Sequence, residues 1–318
     1  MALTIDTHHH MLPDFFFEAT NEKESPVGGL KPQIWTPEGS LAFMDEAGID
    51  VAILSISTPG IQLPEKHAAR ELARKCNELA ATLISKHPKR FGAFASVPMS
   101  DINDAFDEMI YALDVLKLDG VVLFTNSRGV YLGDKIMKPL FDELGRREVV
   151  VYVHPNASPD PVAHSLGLTD NLIDFPVDTT RAIAQLHYRG TFSATPNIQY
   201  IFSHAGGTVP YLAGRFAIVD EMNIMGDSSK RGTAAETFRN LYWDTALAWS
   251  DPVLHTLRHI AGINKVLFGT DFPYLRKDIA VRSKINLADS PELLEGEKKQ
   301  VLGGNALKLF PRFNSIYQ

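Results

Sequence analysis

Residues 119–154, DGVVLFTNSRGVYLGDKIMKPLFDELGRREVVVYVH, contain the unit from which we predict the fold. An apolar run at 119–125 is followed by a helical pattern at 135–146 and a second apolar run at 148–154. Near-continuous apolar strands separated by helices are typical of a parallel sheet buried on both faces. The stretch therefore predicts two parallel strands joined by a helix.

The same alternation runs along the chain. The predicted strands are 3–7, 50–56, 91–97, 119–125, 148–154, 198–203, 241–246 and 265–270. The helical patterns between them include 38–48, 65–86, 101–117, 135–146, 178–193 and 251–262. Eight such strands predict a (β/α)8 TIM barrel, with long βα loops at its C-terminal face. The other architecture considered is an open doubly wound sheet, but no strand precedes a G-x-G-x-x-G or P-loop pattern.

Composition excludes several classes of protein. The chain has 318 residues, 45% of them hydrophobic, and no linker or repeat divides it, so residues 1–318 are expected to form one domain. The net charge of −7 argues against a nucleic-acid or anionic-membrane partner, and an anionic substrate would need positive charge supplied locally. No apolar run is long enough to span a bilayer. The lone Cys76 and the lack of a signal peptide lead us to expect a buried thiol in a cytoplasmic protein.

Histidine or aspartate stands at five of the eight predicted strand ends, where the chemistry of such a barrel lies. The residues are His8 and His10, His154, His204, Asp244 and Asp271. A catalytic zinc typically takes about three protein nitrogen or oxygen ligands and leaves a position open for water or substrate. His8, His10, His154 and Asp271 would provide three imidazoles and one carboxylate.

The run THHH at residues 7–10 is interpreted through strand alternation. Side chains of a strand point alternately to its two sides, so His8 and His10 share one side and His9 lies on the other. Asp6 has the same parity as His8 and His10, which indicates a D-x-H-x-H pattern with His9 as its spacer.

The remaining histidines are expected to be structural. His255 and His259 have the i, i+4 spacing of a helical metal site, but no glutamate stands between them as in H-E-x-x-H. Their helix follows the seventh strand and should lie on the outer ring. The other four are His67, His87, His164 and His187, of which the last two could approach the pocket.

The whole chain resembles the amidohydrolase superfamily, through its strand-end motifs together with HAGGTVPYLAGR at 204–215 and FGTDFP at 268–273. These motifs are similar to those of the branch that contains aminocarboxymuconate-semialdehyde decarboxylase and the hydroxybenzoate decarboxylases. DFPVDTTRAIAQLHYRGTF at 174–192 is most similar to 6-methylsalicylate decarboxylases. Binuclear members carry a carboxylated lysine after the fourth strand, whereas this chain reads VVLFTN at 121–126, so the resemblance implies a single metal. Zinc is expected, manganese suits the same ligands, and no organic cofactor is implied.

The resemblance also implies roles for the site residues. Asp271 would sit beside the metal and protonate the ring carbon, and His204 would be a second acid or base or would hydrogen-bond the substrate. Arg215, eleven residues after His204, would bind a carboxylate in the active site of a neighbouring subunit, which implies a homodimer. The alternative, given equal weight, is that Arg215 is a structural arginine on a helix surface or at an interface. Arg181 is a weaker candidate, and Asp244 is expected to orient a metal-binding histidine or to close a hydrogen-bond network.

Two long loops are predicted at the barrel mouth, at residues 11–35 and 156–175. Loops of this length are commonly lids or binding surfaces, so part of the first should cover a flat aromatic substrate. Phe15 to Phe17 would either line the site or pack as an anchor.

The sequence thus predicts a metal-dependent, non-oxidative decarboxylase of a small hydroxylated aromatic acid. A hydrolase acting on an ester, lactone or carbon–carbon bond is the alternative, because the same metal arrangement can activate water. A metal-binding protein without catalysis is a third hypothesis. Asp244 and His204 argue against it, since a storage site needs no additional acid or base.

Overall fold

Eight parallel strands pair in chain order in the computed structural model, which describes residues 3–21, 34–159 and 167–317. They are β1 Ile5–His10, β2 Val51–Ser55, β3 Phe91–Ser96, β4 Gly120–Phe124, β5 Val150–His154, β6 Gln199–Phe202, β7 Tyr242–Asp244 and β8 Val266–Leu267. Backbone hydrogen bonds join the first and last strands, from Thr7 N to Phe268 O at 2.9 Å and from Asp271 N to His8 O at 2.9 Å. The predicted (β/α)8 barrel is confirmed.

Helices alternate with these strands. They are α1 Asp14–Thr20, α2 Pro37–Ala47, α3 Lys66–Lys86, α4 Ile102–Ile110, α5 Lys138–Arg146, α6 Asp174–Tyr188, α7 Thr191–Ala194, α8 Val209–Glu221, α9 Ala234–Asn240, α10 Asp251–Ile260, α11 Lys277–Asp289, α12 Glu295–Lys299, α13 Ala306–Leu309 and α14 Arg312–Tyr317. None of the helices in the described part of the chain combines the length and apolar character of a membrane span.

The strands are almost wholly buried, which explains why their sequences do not alternate. Tyr152 of β5, for example, stacks on Phe94 of β3 with ring centroids 5.0 Å apart inside the barrel. Cys76 lies buried on α3, as predicted, and its burial raises the thiol pKa to about 12.

Some predicted boundaries are wrong. The helix predicted at 178–193 begins earlier, at Asp174, and is interrupted where Gly190 adopts a left-handed φ of 75° between α6 and α7. The helix predicted at 101–117 is α-helical only to Ile110 and continues as a π-helical turn, Tyr111–Val115. The spacing of hydrophobic residues along the sequence does not indicate either the interruption at Gly190 or the change of helix type after Ile110.

The first predicted loop contains a helix. Phe16 and Phe17 of α1 are buried in the core, whereas Phe15 is partly buried, so this aromatic run packs as an anchor. Residues 22–33 of that loop lie outside the described residues, as do residues 160–166 of the second, including His164. The prediction that part of the first loop covers the substrate therefore stays a prediction.

Candidate active site

The carboxyl ends of four strands bring the sequence-predicted donors together. One ligand atom from each of His8, His154, His204 and Asp271 lies within 4.8 Å of the others. His10 Nε2 belongs to the same cluster, 3.1 Å from His8 Nε2 and 3.1 Å from Asp271 Oδ1. The chain thus positions four imidazoles and one carboxylate at the barrel mouth, including all four residues that the sequence assigns to a metal.

Hydrogen bonds at Nδ1 orient the three histidines expected to bind metal. His8 Nδ1 lies 2.9 Å from Asp244 Oδ2, and His154 Nδ1 lies 2.9 Å from the carbonyl oxygen of Pro155. His10 Nδ1 lies 3.3 Å from the Ser55 hydroxyl. With Nδ1 occupied in this way, Nε2 is the nitrogen left to bind a cation, and such outer contacts hold metal-binding imidazoles in place.

The donor atoms also have spacings that suit one small cation. His8 Nε2 and His10 Nε2 are 3.1 Å apart, and His8 Nε2 lies 3.3 Å from Asp271 Oδ1. Ligands about 2.0–2.1 Å from a tetrahedral zinc are separated from one another by roughly 3.3 Å. The residues therefore fit a divalent metal ion.

Charge differs among the three histidines expected to bind metal, and His8 must release a proton before its Nε2 can bind a metal. Burial acts to lower the pKa of His8, but the carboxylates of Asp244 and Asp271 outweigh it and raise that pKa to about 10. Burial lowers the pKa of His10, and holds that of His154 well below its usual value, so both imidazoles are neutral, as metal ligands must be. Burial would raise the pKa of Asp271, but His8 and the surrounding hydrogen bonds keep it well below the usual range.

Asp244 connects three parts of the site from a fully buried position. Its Oδ2 accepts from the Tyr152 hydroxyl at 3.1 Å as well as from His8, and its Oδ1 accepts from the backbone N–H of His204 at 2.8 Å. Tyr152 was missed in the sequence. The sequence feature that could have identified it is its position two residues before His154, which puts both side chains on the same face of β5. Burial keeps the Tyr152 pKa well above its usual value, so the hydroxyl remains a donor.

His9 faces away from the cluster, as strand alternation predicts. Its Nδ1 lies 3.1 Å from Asp6 Oδ2 and its Nε2 lies 3.0 Å from the Ser40 hydroxyl. The grouping of Asp6 with His8 and His10 is wrong, because Asp6 bonds to His9 and accepts from the Thr270 hydroxyl at 2.6 Å. Pairing of β1 with β2 shifts register between Asp6 and His9, so parity fails across that irregularity.

The motif HAGG forms a tight left-handed turn after β6. His204, Ala205, Gly206 and Gly207 have φ values of 51°, 54°, 71° and 67°. A Cβ on Gly206 would lie 2.1 Å from the Trp243 ring, which explains glycine at that position. The turn places His204 Nε2 3.6 Å from Asp271 Oδ2, buried and without a hydrogen-bond partner among the described residues.

A cavity of about 790 Å³ opens above the cluster. His154, His204 and Asp271 line its floor, and Tyr274 lies against His10 with ring centroids 5.5 Å apart. Other lining residues are Ser57, Thr58, Thr169, Asn171, Leu172, Phe175, Pro176, Ala205, Gly207, Pro210, Tyr211, Leu247, Ala248, Pro252, Val253, Thr256 and Leu275. Its size suits a small-molecule substrate.

Neither predicted arginine lines this cavity in the described part of the chain. Arg215 is exposed on α8, one turn after Tyr211, which does line it. Arg181 is exposed on α6 and donates to the Ser158 hydroxyl at 3.2 Å.

The remaining described histidines lie away from the cluster. His255 and His259 are exposed on α10, and His187 is buried beside Thr237 of α9. His67 is exposed on α3, and His87, at the C-terminal end of that helix, is partly buried.

Comparison with known proteins agrees with this arrangement. A family model described as amidohydrolase matches residues 5–312. A 6-methylsalicylic acid decarboxylase of Penicillium expansum is 36% identical over 98% of this chain and 97% of its own length. A crystal structure of an amidohydrolase II superposes with a TM-score of 0.91 at 29% identity, covering 97% of this chain and 99% of that one. A manganese-bound dihydroxybenzoic acid decarboxylase from a Polaromonas species shares the fold, with a TM-score of 0.82, 24% identity and coverage of 98% and 97%.

Proposed function

The chain belongs to the amidohydrolase family, and we propose that it is a metal-dependent, non-oxidative decarboxylase of a small hydroxylated aromatic acid. The substrate we propose is 6-methylsalicylate or a related o-hydroxybenzoate. The observation that carries this is the 36% identity to a 6-methylsalicylic acid decarboxylase over 98% of the chain, because a barrel alone does not determine a reaction. The same relative favours decarboxylation over the hydrolase alternative.

We assign one divalent metal, zinc, to His8, His10, His154 and Asp271. The assignment is supported by the donor separations of 3.1–3.3 Å around Asp271 Oδ1 and by the Nδ1 contacts that leave Nε2 free. Bound there, the ion would act as a Lewis acid toward the phenol and carboxylate oxygens of the acid. Three nitrogens and one oxygen also suit manganese, so metal content is part of the test.

We assign the proton transfer to Asp271 and His204. In the reaction the bond between the ring carbon and the carboxylate breaks, its electron pair stays on the ring carbon, that carbon takes a proton, and CO2 leaves. Asp271 is ionised at rest, because its pKa lies well below the usual range, so it would donate this proton only after receiving one. His204 Nε2, 3.6 Å from Asp271 Oδ2, would resupply the proton. Asp244 would position His8 through its 2.9 Å contact.

We assign Arg215 to the active site of a second copy in a homodimer. Tyr211, Arg215, Ile218 and Met222 follow the i, i+4, i+7, i+11 spacing of one helix face. The three apolar side chains of that face are 89%, 57% and 65% exposed. A second copy covering this face would bury them and bring Arg215 to a neighbouring carboxylate, for which a guanidinium is well suited.

We place the enzyme in the cytoplasm, with a small aromatic carboxylate as its partner rather than nucleic acid or membrane. The free, buried thiol of Cys76 and the net charge of −7 support this placement. Fractionation of the native host, with activity recovered outside the cytoplasm, would contradict it.

One experiment tests the function. Purified protein is analysed for bound metal and then offered salicylate, 6-methylsalicylate, 2,6-dihydroxybenzoate and activated esters, with CO2 and hydrolysis products measured separately. We expect CO2 release, and deuterium at the former carboxyl position in heavy water. Ester turnover without CO2 from any acid would overturn the proposal, and full activity in Asp271→Ala would overturn the assigned site.

A further inference from the structure

Strained backbone is concentrated at the cavity. Among the described non-glycine residues with left-handed φ, four line it, namely His204, Ala205, Leu247 and Asp271. His204 and Asp271 belong to the donor cluster, and Ala205 belongs to the turn that positions His204. Leu247, with a φ of 56°, has no such role. A bulky residue in this conformation is uncommon, and such strain is often retained at functional sites.

Leu247 is held in a fixed position relative to the cluster. It follows Asp244 by three residues, in a turn closed by a hydrogen bond from Ala248 N to Thr245 O at 2.9 Å. The preceding N–H, that of Ala246, donates to Asp244 Oδ1 at 3.0 Å. Because the other oxygen of Asp244 contacts His8, the turn and the metal-binding residues share one anchor.

The side chain of Leu247 is apolar and yet 48% exposed where it lines the cavity. Ala248 after β7, Val253 on α10 and Leu275 after β8 also line the cavity and are apolar, with Thr256 of α10 as a polar residue in this sector. Polar groups line the cavity from other sectors of the barrel, with Thr58 after β2 and Asn171 after β5. Water against the Leu247 wall would be displaced favourably by an apolar group.

We propose that Leu247 is a specificity-determining residue that selects an apolar substituent on the ring of the aromatic acid. The inference rests on the proposed function. In this proposal the ring is held through its carboxylate and hydroxyl at the cluster, with its substituent turned toward Leu247 on the wall of the same cavity. Leu247 would then favour a methyl-bearing acid over the unsubstituted one.

The test compares kcat/KM for 6-methylsalicylate with kcat/KM for salicylate. Leu247→Gly removes the side chain and adopts a positive φ without strain, so loss of folding does not obscure the result. We expect the ratio of the two constants to fall by about tenfold, the lower end of the range for one methyl group in an apolar pocket. Leu247→Met, which keeps an apolar side chain of similar volume, should retain the ratio.

Leu172→Ala is the matched control, because Leu172 is an exposed leucine that lines the same cavity from the loop after β5. It should change both constants by the same factor. A ratio in Leu247→Gly within twofold of wild type, with wild type active on both acids, would overturn the role of Leu247 and leave the proposed function intact. Absence of CO2 from 6-methylsalicylate, salicylate and 2,6-dihydroxybenzoate alike would instead overturn the proposed function, and the inference with it. Turnover of 2,6-dihydroxybenzoate alone would overturn the inference and leave the proposed function intact.

Discussion

At the scale of single residues, three adjacent histidines in β1 have three different sets of contacts. His8 lies between Asp244 and the donor cluster, His10 lies between Ser55 and Asp271, and His9 faces the opposite side. All three are fully buried. Their chemistry therefore depends on which carboxylate or hydroxyl each ring meets, rather than on exposure.

Replacement of these histidines should give unequal results. His8→Ala or His10→Ala should lose bound metal and activity, since each removes a proposed ligand. His9→Ala should keep both but lower the free energy of unfolding by about 1–3 kcal/mol, because it removes the buried hydrogen bonds that the imidazole makes with Asp6 and Ser40. Metal analysis and urea unfolding would measure these effects.

His67→Ala is the control for this series, because its side chain is 76% exposed on α3. It should match wild type in metal content and stability. Loss of metal in His9→Ala, or retention of metal in both His8→Ala and His10→Ala, would contradict the assignment.

At the scale of elements, the turn after β6 determines where His204 lies. Gly206 packs against Trp243 of β7, and a Cβ on Gly207 would lie 2.0 Å from the carbonyl oxygen of Pro176 in α6. Two neighbouring elements therefore enclose the turn so closely that only glycine fits. This is a packing requirement, and it makes HAGG recognisable in the sequence.

Gly206→Ala should lower the free energy of unfolding by at least about 2 kcal/mol. The added Cβ would clash with the Trp243 ring, and alanine would have to adopt a left-handed φ, which is unfavourable for an L-residue. The kcat of the remaining folded protein should also fall, because the turn must move to relieve the clash and His204 moves with it. Gly296→Ala in α12 is the matched control, because a Cβ there meets nothing within 4 Å. Thermal unfolding and kcat would measure both variants, and equal behaviour of the two would refute this account of the turn.

The contact between α6 and α9 should depend on pH through His187. Its Nδ1 lies 3.0 Å from the Thr237 hydroxyl, and burial lowers its pKa below the ordinary value of 6.5 although Asp220 acts in the opposite direction. As pH falls, His187 is therefore protonated at a higher pH in the unfolded chain than in the folded protein. His187 thus reduces stability below about pH 6.5, by at most about 1.4 kcal/mol per pH unit.

His187→Asn removes this titration while keeping a polar group near Thr237. Urea unfolding between pH 7.5 and 5 should show a shallower loss of stability in the variant than in wild type. Identical slopes would mean that His187 does not titrate differently in the folded state.

At the scale of the whole molecule, the proposed metal ligands come from β1, from β5 and from the segment that follows β8. The first and last strands are thus joined by their backbone hydrogen bonds and also by the site. We propose that residues 1–318 fold as one domain, because the eight strands form one continuous sheet.

Thermal unfolding of the metal-loaded protein should show one cooperative transition. Metal at about 100 times its dissociation constant should stabilise the fold by about 2.7 kcal/mol, since the ligands assemble only in the closed barrel. Chelation should lower Tm in wild type and leave Tm of His8→Ala unchanged. Two separated calorimetric transitions would contradict a single domain, and an equal Tm shift in His8→Ala would contradict the site.

The sequence by itself determined the barrel and most of the donor cluster. Strand burial and the position of a residue at a strand end are local properties of the sequence. Apolar runs that end near His8, His154 or Asp271 therefore predict the buried strands of the barrel and also the residues that meet at its mouth. Only the tertiary structure decided the contacts between distant segments, such as Tyr152 with Asp244, 92 residues apart, and His8 with Asp244, 236 apart. It also decided that Asp6 turns toward His9 and that Leu247 is strained at the cavity wall. The physical reason is that register, irregular pairing and left-handed turns depend on which neighbours enclose a residue, and one-dimensional periodicity does not contain that information.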